Sequence, residues 1–420
     1  MKQRRRTPSM VLKVLPAIVL LCLLAKVAMA QTISDIINIP LYSTVTDTGA
    51  NKWGIWVSLG GGSAPQLFEF DTGGGGFYAT YASNNTSPWW GSQYSLISSN
   101  TASNLYDSGF QYSGNTVQAQ ISLFSNNSVN SGVAIGSYVV GQTVSIIDTK
   151  KNNDVYWSNG PVVTPPIDGA FYGDFGMDLG YNSNGLVNLI EQMHFTNGIT
   201  PGFIVNTPLN GQNGYLQIGL SSSQTNRSGF NYFNMNADTS APTNTASGTP
   251  FYSQSSVTMT MSISNNATGS NYSTNIGIIT DTGATPNIHN TQNATNPPFP
   301  SDWIAGDTNT HAFLSNGLTL SLTATNTQGN PVTVYSIGTQ TNSNDYANAS
   351  GIVMVQDIGT THSNMFNFNA GLYFFDNQQV TYDLSNGLIG LGPLAVPEPS
   401  TWALLGIGIG VLLAAFRRNA

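Results

Sequence analysis

Phe68-Glu69-Phe70-Asp71-Thr72-Gly73 is answered 210 residues later by Ile278-Ile279-Thr280-Asp281-Thr282-Gly283-Ala284. Each Asp-Thr-Gly is approached by apolar residues, the pattern of a buried strand that delivers a carboxylate at its end. Two similar half-molecules would then bring two carboxylates to one place, as a water-activating acid and base require. The triplet alone decides little, since chance ordering of these residue types gives about 0.2 matches in such a chain. A third copy, Asp47-Thr48-Gly49, lies between Ser43-Thr44-Val45-Thr46 and Ala50-Asn51-Lys52 and has no apolar approach. It reads as a polar hairpin turn, with Asp and Gly serving backbone geometry.

The two ends read as addresses. Lys2, Arg4, Arg5, Arg6 and Lys13 precede an apolar run from Leu15 to Ala25, and Ala28-Met29-Ala30 follows. This is the layout of a secretory signal over 1–30, cut after Ala30 by signal peptidase. The one cysteine, Cys22, falls inside it, so the exported part would hold together without a disulfide. At the other end, Pro397-Glu398-Pro399 leads into an apolar stretch from Trp402 to Phe416 and then Arg417-Arg418. That stretch is short for a membrane span. Residues 396–420 resemble the PEP-CTERM sorting signal of Gram-negative bacteria. The resemblance implies a transient inner-membrane intermediate, cleavage by an exosortase-type protease, and release to the cell surface or outside the cell.

Between the ends stand only Lys52, Lys150, Lys151 and Arg227 against 19 acidic residues, a balance near −15. Nucleic acid is excluded as a partner, because it needs a basic footprint. Few salt bridges are available for acid to break. The segment is built of short runs of Val, Ile, Thr, Tyr and Phe divided by Gly, Asn, Ser and Pro, which reads as mainly β. Trp53–Leu59, Val117–Phe124 and Val257–Ile263 are expected strands, several alternating with period two. Gly185–Met193 is the best helical segment, and 236–250 is expected to be a polar loop.

Around the two triplets the chain resembles the pepsin-like aspartic peptidases, through most of the exported segment. Gly60-Gly61-Gly62-Ser63-Ala64-Pro65-Gln66-Leu67-Phe68 is similar to the family's approach to its first aspartate, and Tyr78 stands where an aromatic follows it. Tyr112-Ser113-Gly114 falls near the family's flap turn. Asp168-Gly169 and Gly176-Met177-Asp178-Leu179-Gly180 resemble the segment that supports the first loop. Asn188-Leu189-Ile190 with Gln192, then Gly202–Val205 and Gly214–Gly219, match the end of the first lobe. Gly371-Leu372-Tyr373-Phe374-Phe375, Val380-Thr381-Tyr382-Asp383 and Ile389-Gly390-Leu391 follow the family's closing motifs with the same internal spacing.

The resemblance implies a mainly β, bilobal pepsin-like (acid protease) fold, with two pseudo-symmetric β lobes and a cleft between them. Residues 31–219 would form the first lobe and 220–395 the second. Asp71 and Asp281 would be the catalytic pair, hydrolysing peptide bonds of a polypeptide substrate through one shared water. Thr72 and Thr282 would lock each loop to the other's backbone, with Gly73 and Gly283 allowing the approach. Tyr112, Ser113 and Gly114 would form the substrate-binding flap.

No metal or organic cofactor is implied. His194, His289, His311 and His362 have no ligand spacing, and no Gly-x-Ser-x-Gly elbow marks a serine nucleophile. Two departures favour an alternative, a weak or inactive pepsin-like surface or matrix protein that binds peptide or polysaccharide. The hydroxyl that usually follows each triplet is replaced by Gly74 and Ala284, which should raise the affected aspartate's pKa. Only 40 residues separate Ala30 from Asp71, leaving no room for a basic prosegment.

Overall fold

In the computed structural model the described residues run from 32 to 394, apart from 48, 84–87, 107, 159–166, 183–184, 208–213, 242–243, 254, 291–299, 308–310, 341–351, 357–365 and 377. The leader, the sorting segment and His362 lie outside them.

Strands dominate, and the only helical pieces among the described residues are single 3₁₀ turns. The expected strands are found, extended to Asn51–Leu59, Phe110–Phe124 and Val257–Asn265. In Val257–Asn265 the residues at every second position are buried, so one face meets the core and the other solvent. The helix expected over Gly185–Met193 shrinks to the 3₁₀ turn Ile190–Gln192, where the Asn188 side chain accepts from the Glu191 N–H at 3.0 Å. An asparagine that satisfies the backbone locally caps a turn rather than continuing a helix. Asp47 and Gly49 lie in the hairpin turn expected, with Thr46 N–H bonded to Ala50 O and Gly49 N–H to Thr46 O.

Two halves repeat one plan. In the first, Gln66–Asp71 ends at the aspartate loop, Phe77–Thr80 leaves it, and Gly173–Gly176 slots between them from far along the chain. The inserted strand runs parallel to Gln66–Asp71 and antiparallel to Phe77–Thr80. In the second, Asn271–Ile279 enters the loop, Asn287–Asn290 leaves it, and Phe366–Asn369 is inserted with the same two senses. The departing strands match as well, each pairing in parallel with a further strand, Gly132–Asp148 in one half and Met354–Gln356 in the other. The architecture is mainly β and bilobal, with one aspartate loop per half.

The halves share a floor. Thr200–Asn206 and Gly214–Leu220 lie in the large first sheet beside Gln379–Asp383, Leu388–Gly392 and Asn231–Asn234. The last of the described strands thus return across the expected boundary at 219/220. Phe68, Phe70, Phe77 and Phe175 pack beneath the first loop, Phe68 and Phe77 edge to face at 5.2 Å. Ile278, Ile288 and Phe368 do the same beneath the second. At roughly 1.5–3 kcal/mol for each large apolar side chain, these cores hold both loops on rigid strands.

Candidate active site

The two loops are interlocked through their threonines. Thr72 Oγ1 donates to Thr280 O at 2.7 Å and accepts from the Thr282 N–H at 3.0 Å. Thr282 Oγ1 donates to Phe70 O at 2.7 Å and accepts from the Thr72 N–H at 3.0 Å. Four buried hydrogen bonds, paired by symmetry, fasten segments 210 residues apart. Behind them Thr280 bonds the Tyr382 hydroxyl at 2.7 Å, and Tyr382 stacks on Phe203 at 4.3 Å.

The interlock brings Asp71 and Asp281 together. Asp71 Oδ1 accepts from the Gly73 N–H at 2.8 Å, and Asp281 Oδ1 from the Gly283 N–H at 2.7 Å. A Cβ on Gly283 would stand 2.6 Å from the Asp71 carboxyl carbon, and one on Gly73 would run into the Asp281 carboxyl. Each loop therefore needs glycine where the opposite carboxylate approaches. Asp71 is buried and Asp281 partly exposed. Burial first, then repulsion from Asp281, Asp174 and Glu69, pushes Asp71 well above the usual carboxylate range. Such a pair can hold one proton between two carboxyls, and so offers an acid and a base at one point.

The flap expectation needs correction. Tyr112, Ser113 and Gly114 lie inside the strand Phe110–Phe124, opposite Asn104, Ser103 and Ala102, and not in a turn. Gly114 answers a close strand approach, since a Cβ there would strike Gln142 O. The hairpin closes between Tyr106 and Gly109, where Gly109 N–H bonds Tyr106 O at 2.8 Å. Tyr106-x-x-Gly109 is the turn signal that could have been found. Tyr112 is buried behind it, its ring 5.1 Å from Tyr106 and 5.7 Å from Tyr78.

Five further polar residues surround the pair. Lys52 is ion-paired to Glu69 at 2.6 Å and also donates to Gly283 O in the opposite loop. Burial alone would lower Lys52, but the Glu69 carboxylate overrides it and keeps the ammonium charged. Asn369 Nδ2 donates to Asp281 Oδ2 at 2.5 Å, the oxygen left without a hydroxyl by Ala284. Tyr106 donates to Asp174 Oδ2, and that oxygen lies 2.6 Å from where a Cβ of Gly74 would sit. Among the described residues no cluster of His, Cys, Asp and Glu could hold a metal.

Residues 395–419 match the model of the PEP-CTERM protein-sorting motif. No curated protein matches the chain. Among solved structures it is similar to an aspartic proteinase from Irpex lacteus, at 18% identity over 87% of this chain and 99% of the other, with a TM-score of 0.49. It is also similar to basic 7S globulin from soybean, at 10% identity over 86% and 97% of the two chains, with a TM-score of 0.47. Both superpositions are loose, and the fold is established by the chain's own repeated strand plan and interlocked loops.

Acid should stabilise this molecule. Burial pushes Asp178 from its ordinary 3.8 to about 7, against the backbone N–H groups of Gly180 and Leu179. Burial likewise pushes Asp376 up to about 6. A carboxyl whose folded value is raised keeps its proton after the unfolded chain has lost it. Its contribution is full below about pH 4 and is lost as pH rises through 6 and 7. Asp148 and Asp238 are shifted the other way and weaken the fold only below pH 4. The melting temperature should therefore peak near pH 4 and fall steadily to pH 7, as calorimetry across that range will test. A maximum at neutral pH would contradict these shifts.

Proposed function

We propose that the chain is an exported aspartic endopeptidase, with Asp71 and Asp281 as the catalytic pair. One observation carries the reading: two carboxyls, each on its own interlocked loop, meet across a pseudo-twofold arrangement. An extended polypeptide would lie over the pair. A water held between the carboxyls attacks the peptide carbon while the ionised aspartate takes its proton. The protonated aspartate gives its proton to the carbonyl oxygen, leaving a tetrahedral diol. On breakdown the first aspartate protonates the leaving nitrogen, the second recovers a proton from a diol hydroxyl, and the C–N bond breaks.

The absent hydroxyls at Gly74 and Ala284 favour the non-catalytic alternative. Asn369 weakens that objection, since its amide supplies Asp281 with the missing donor. A peptide inhibitor bearing a hydroxyl in place of the scissile carbonyl mimics the tetrahedral diol. At about 100 times its Kd it should raise the melting temperature by several degrees. It should do so for the native chain and not for Asp281→Asn. Equal protection of both would mean that the ligand does not read the pair.

The sorting motif supports export through an exosortase-type system, with a passing inner-membrane stage. The expected mature product begins at Gln31 and ends near Pro397. Mass spectrometry of the native protein tests this, and an intact Arg417-Arg418 terminus in the inner-membrane fraction would make it a tethered protein.

A further inference from the structure

Asp174 and Asn369 occupy one position in the two halves. Asp174 is opposite Glu69 in the parallel pairing of the first half, and Asn369 is opposite Ile279 in the second. Glu69 and Ile279 each stand two residues before their aspartate. At the pseudo-equivalent place, then, one half carries an acid and the other an amide.

The amide is fixed in orientation. Asn369 Oδ1 accepts from the Gly371 N–H at 3.0 Å, so Nδ2 faces Asp281 Oδ2. Asp281 thus has two donors, the Gly283 N–H and an amide that cannot lose its proton. Asp71 stands differently. Asp71 Oδ2 and Asp174 Oδ2 lie 2.9 and 2.6 Å from a single point, the place a Gly74 Cβ would occupy. A serine or threonine at 74 would collide with Asp174, so the departure at 74 and the acid at 174 belong together. Asp174 is buried, with Oδ2 accepting from Tyr106 and Oδ1 without a hydrogen-bond partner among the described residues.

We propose that Asp174 joins the pair to make a three-carboxyl cluster that holds the working proton on the Asp71 side, while Asn369 fixes Asp281 as the base. This rests on the peptidase reading and extends it to the control of the site by pH. The charged neighbours do not neutralise Asp174. Glu69 on the strand of Asp71 is paired with Lys52 from the adjoining strand, and burial together with Glu69 outweighs the pull of Tyr106 and Lys52 on Asp174. Asp281 faces Asp71 from the second loop, and Tyr106 and Tyr112 face Asp174 from the hairpin. Asp168 acts on Lys52, and Asp178, whose N–H bonds Gly74 O in the first loop, is repelled by Asp281. A carboxyl beside a carboxyl retains a proton to higher pH than a carboxyl beside a hydroxyl or an amide. Activity should accordingly persist closer to neutrality than a two-carboxyl site would allow. Asp174 and Asn369 are positioning residues, since neither is placed to touch substrate.

The test is the pH profile of kcat/KM for the native chain, Asp174→Asn, Asn369→Asp and the double exchange. In Asp174→Asn the alkaline limb should fall by about one pH unit, a roughly tenfold loss on that limb. Asn369→Asp should displace the acid limb upward. The double exchange restores one acid and one amide and should return the profile close to native. A purely structural role would lower kcat/KM at every pH without moving either limb. Infrared titration of the protonated carboxyl band gives a readout independent of turnover. Asp174→Asn should lose band intensity between pH 5 and pH 7 relative to native. Superimposable limbs or superimposable bands overturn the proposal. A native chain without hydrolysis would sink the peptidase reading, and the infrared comparison would still decide this one.

Discussion

Asp71→Asn and Asp281→Asn are each expected to cut peptide hydrolysis by about 10³-fold or more while the fold stays intact. The chemistry needs one carboxyl that can give a proton and one that can take it, and an amide does neither. The substitution preserves shape. In either variant the amide oxygen can still accept the loop N–H that Asp71 receives from Gly73 and Asp281 from Gly283. Asp71→Asn carries a second expectation. Burial and three neighbouring carboxyls disfavour charge at position 71. A neutral side chain removes that burden, so the inactive variant should be more stable than native at neutral pH. Active sites commonly sacrifice stability in this way. Activity surviving in either variant, measured on a denatured protein substrate, would dissolve the pair. Loss of activity together with loss of fold would make Asp71 a structural residue.

The second large effect lies in the interlock. Thr72→Val removes one donor and one acceptor at once, stranding Thr280 O and the Thr282 N–H in a buried place. Each buried group left unpaired costs about 1–3 kcal/mol, so the variant should lose roughly 2–6 kcal/mol. Thr282→Val should do the same through Phe70 O and the Thr72 N–H. Against a total of about 5–15 kcal/mol for a typical domain, either change is severe. Thr72→Ser keeps the hydroxyl and should recover most of the loss. Urea unfolding measures all three. A cost below about 0.5 kcal/mol for Thr72→Val would mean that the crossed bonds do not hold the loops together.

The parts of this molecule legible in the sequence are those written locally. Apolar approaches to Asp71 and Asp281 are three-residue signals, and the strands around them alternate or run apolar over short windows. The plain hairpin at Asp47 and Gly49 is separable from the other triplets by its flanks alone. What stays hidden depends on strands inserted from a distance. Asp174 and Asn369 reach the pair from 103 and 88 residues along the chain, on strands that slot between the two arms of each loop. Nothing near Asp174 in the sequence marks it as a neighbour of Asp71, and Gly74 reads as a simple loss although Asp174 fills the space. Lys52 stands out as a rare cation, yet its span from Glu69 to Gly283 O requires both loops in place. Tyr112 is misread because a tyrosine three residues into the return strand resembles one at the turn. Tyr106 holds the turn position, followed by Gly109 with positive φ.

Hydrolysis of peptide bonds by two aspartates on interlocked loops is the activity proposed for this site. Its most direct measurement is the cleavage of a denatured protein by the purified, folded chain between pH 3 and pH 7, with and without an inhibitor that mimics the tetrahedral diol. The expected result is cleavage that is fastest in acid, abolished by the inhibitor, and absent from Asp281→Asn. A folded chain that binds the denatured protein but cleaves nothing at any pH, or cleavage indifferent to the inhibitor, would contradict it.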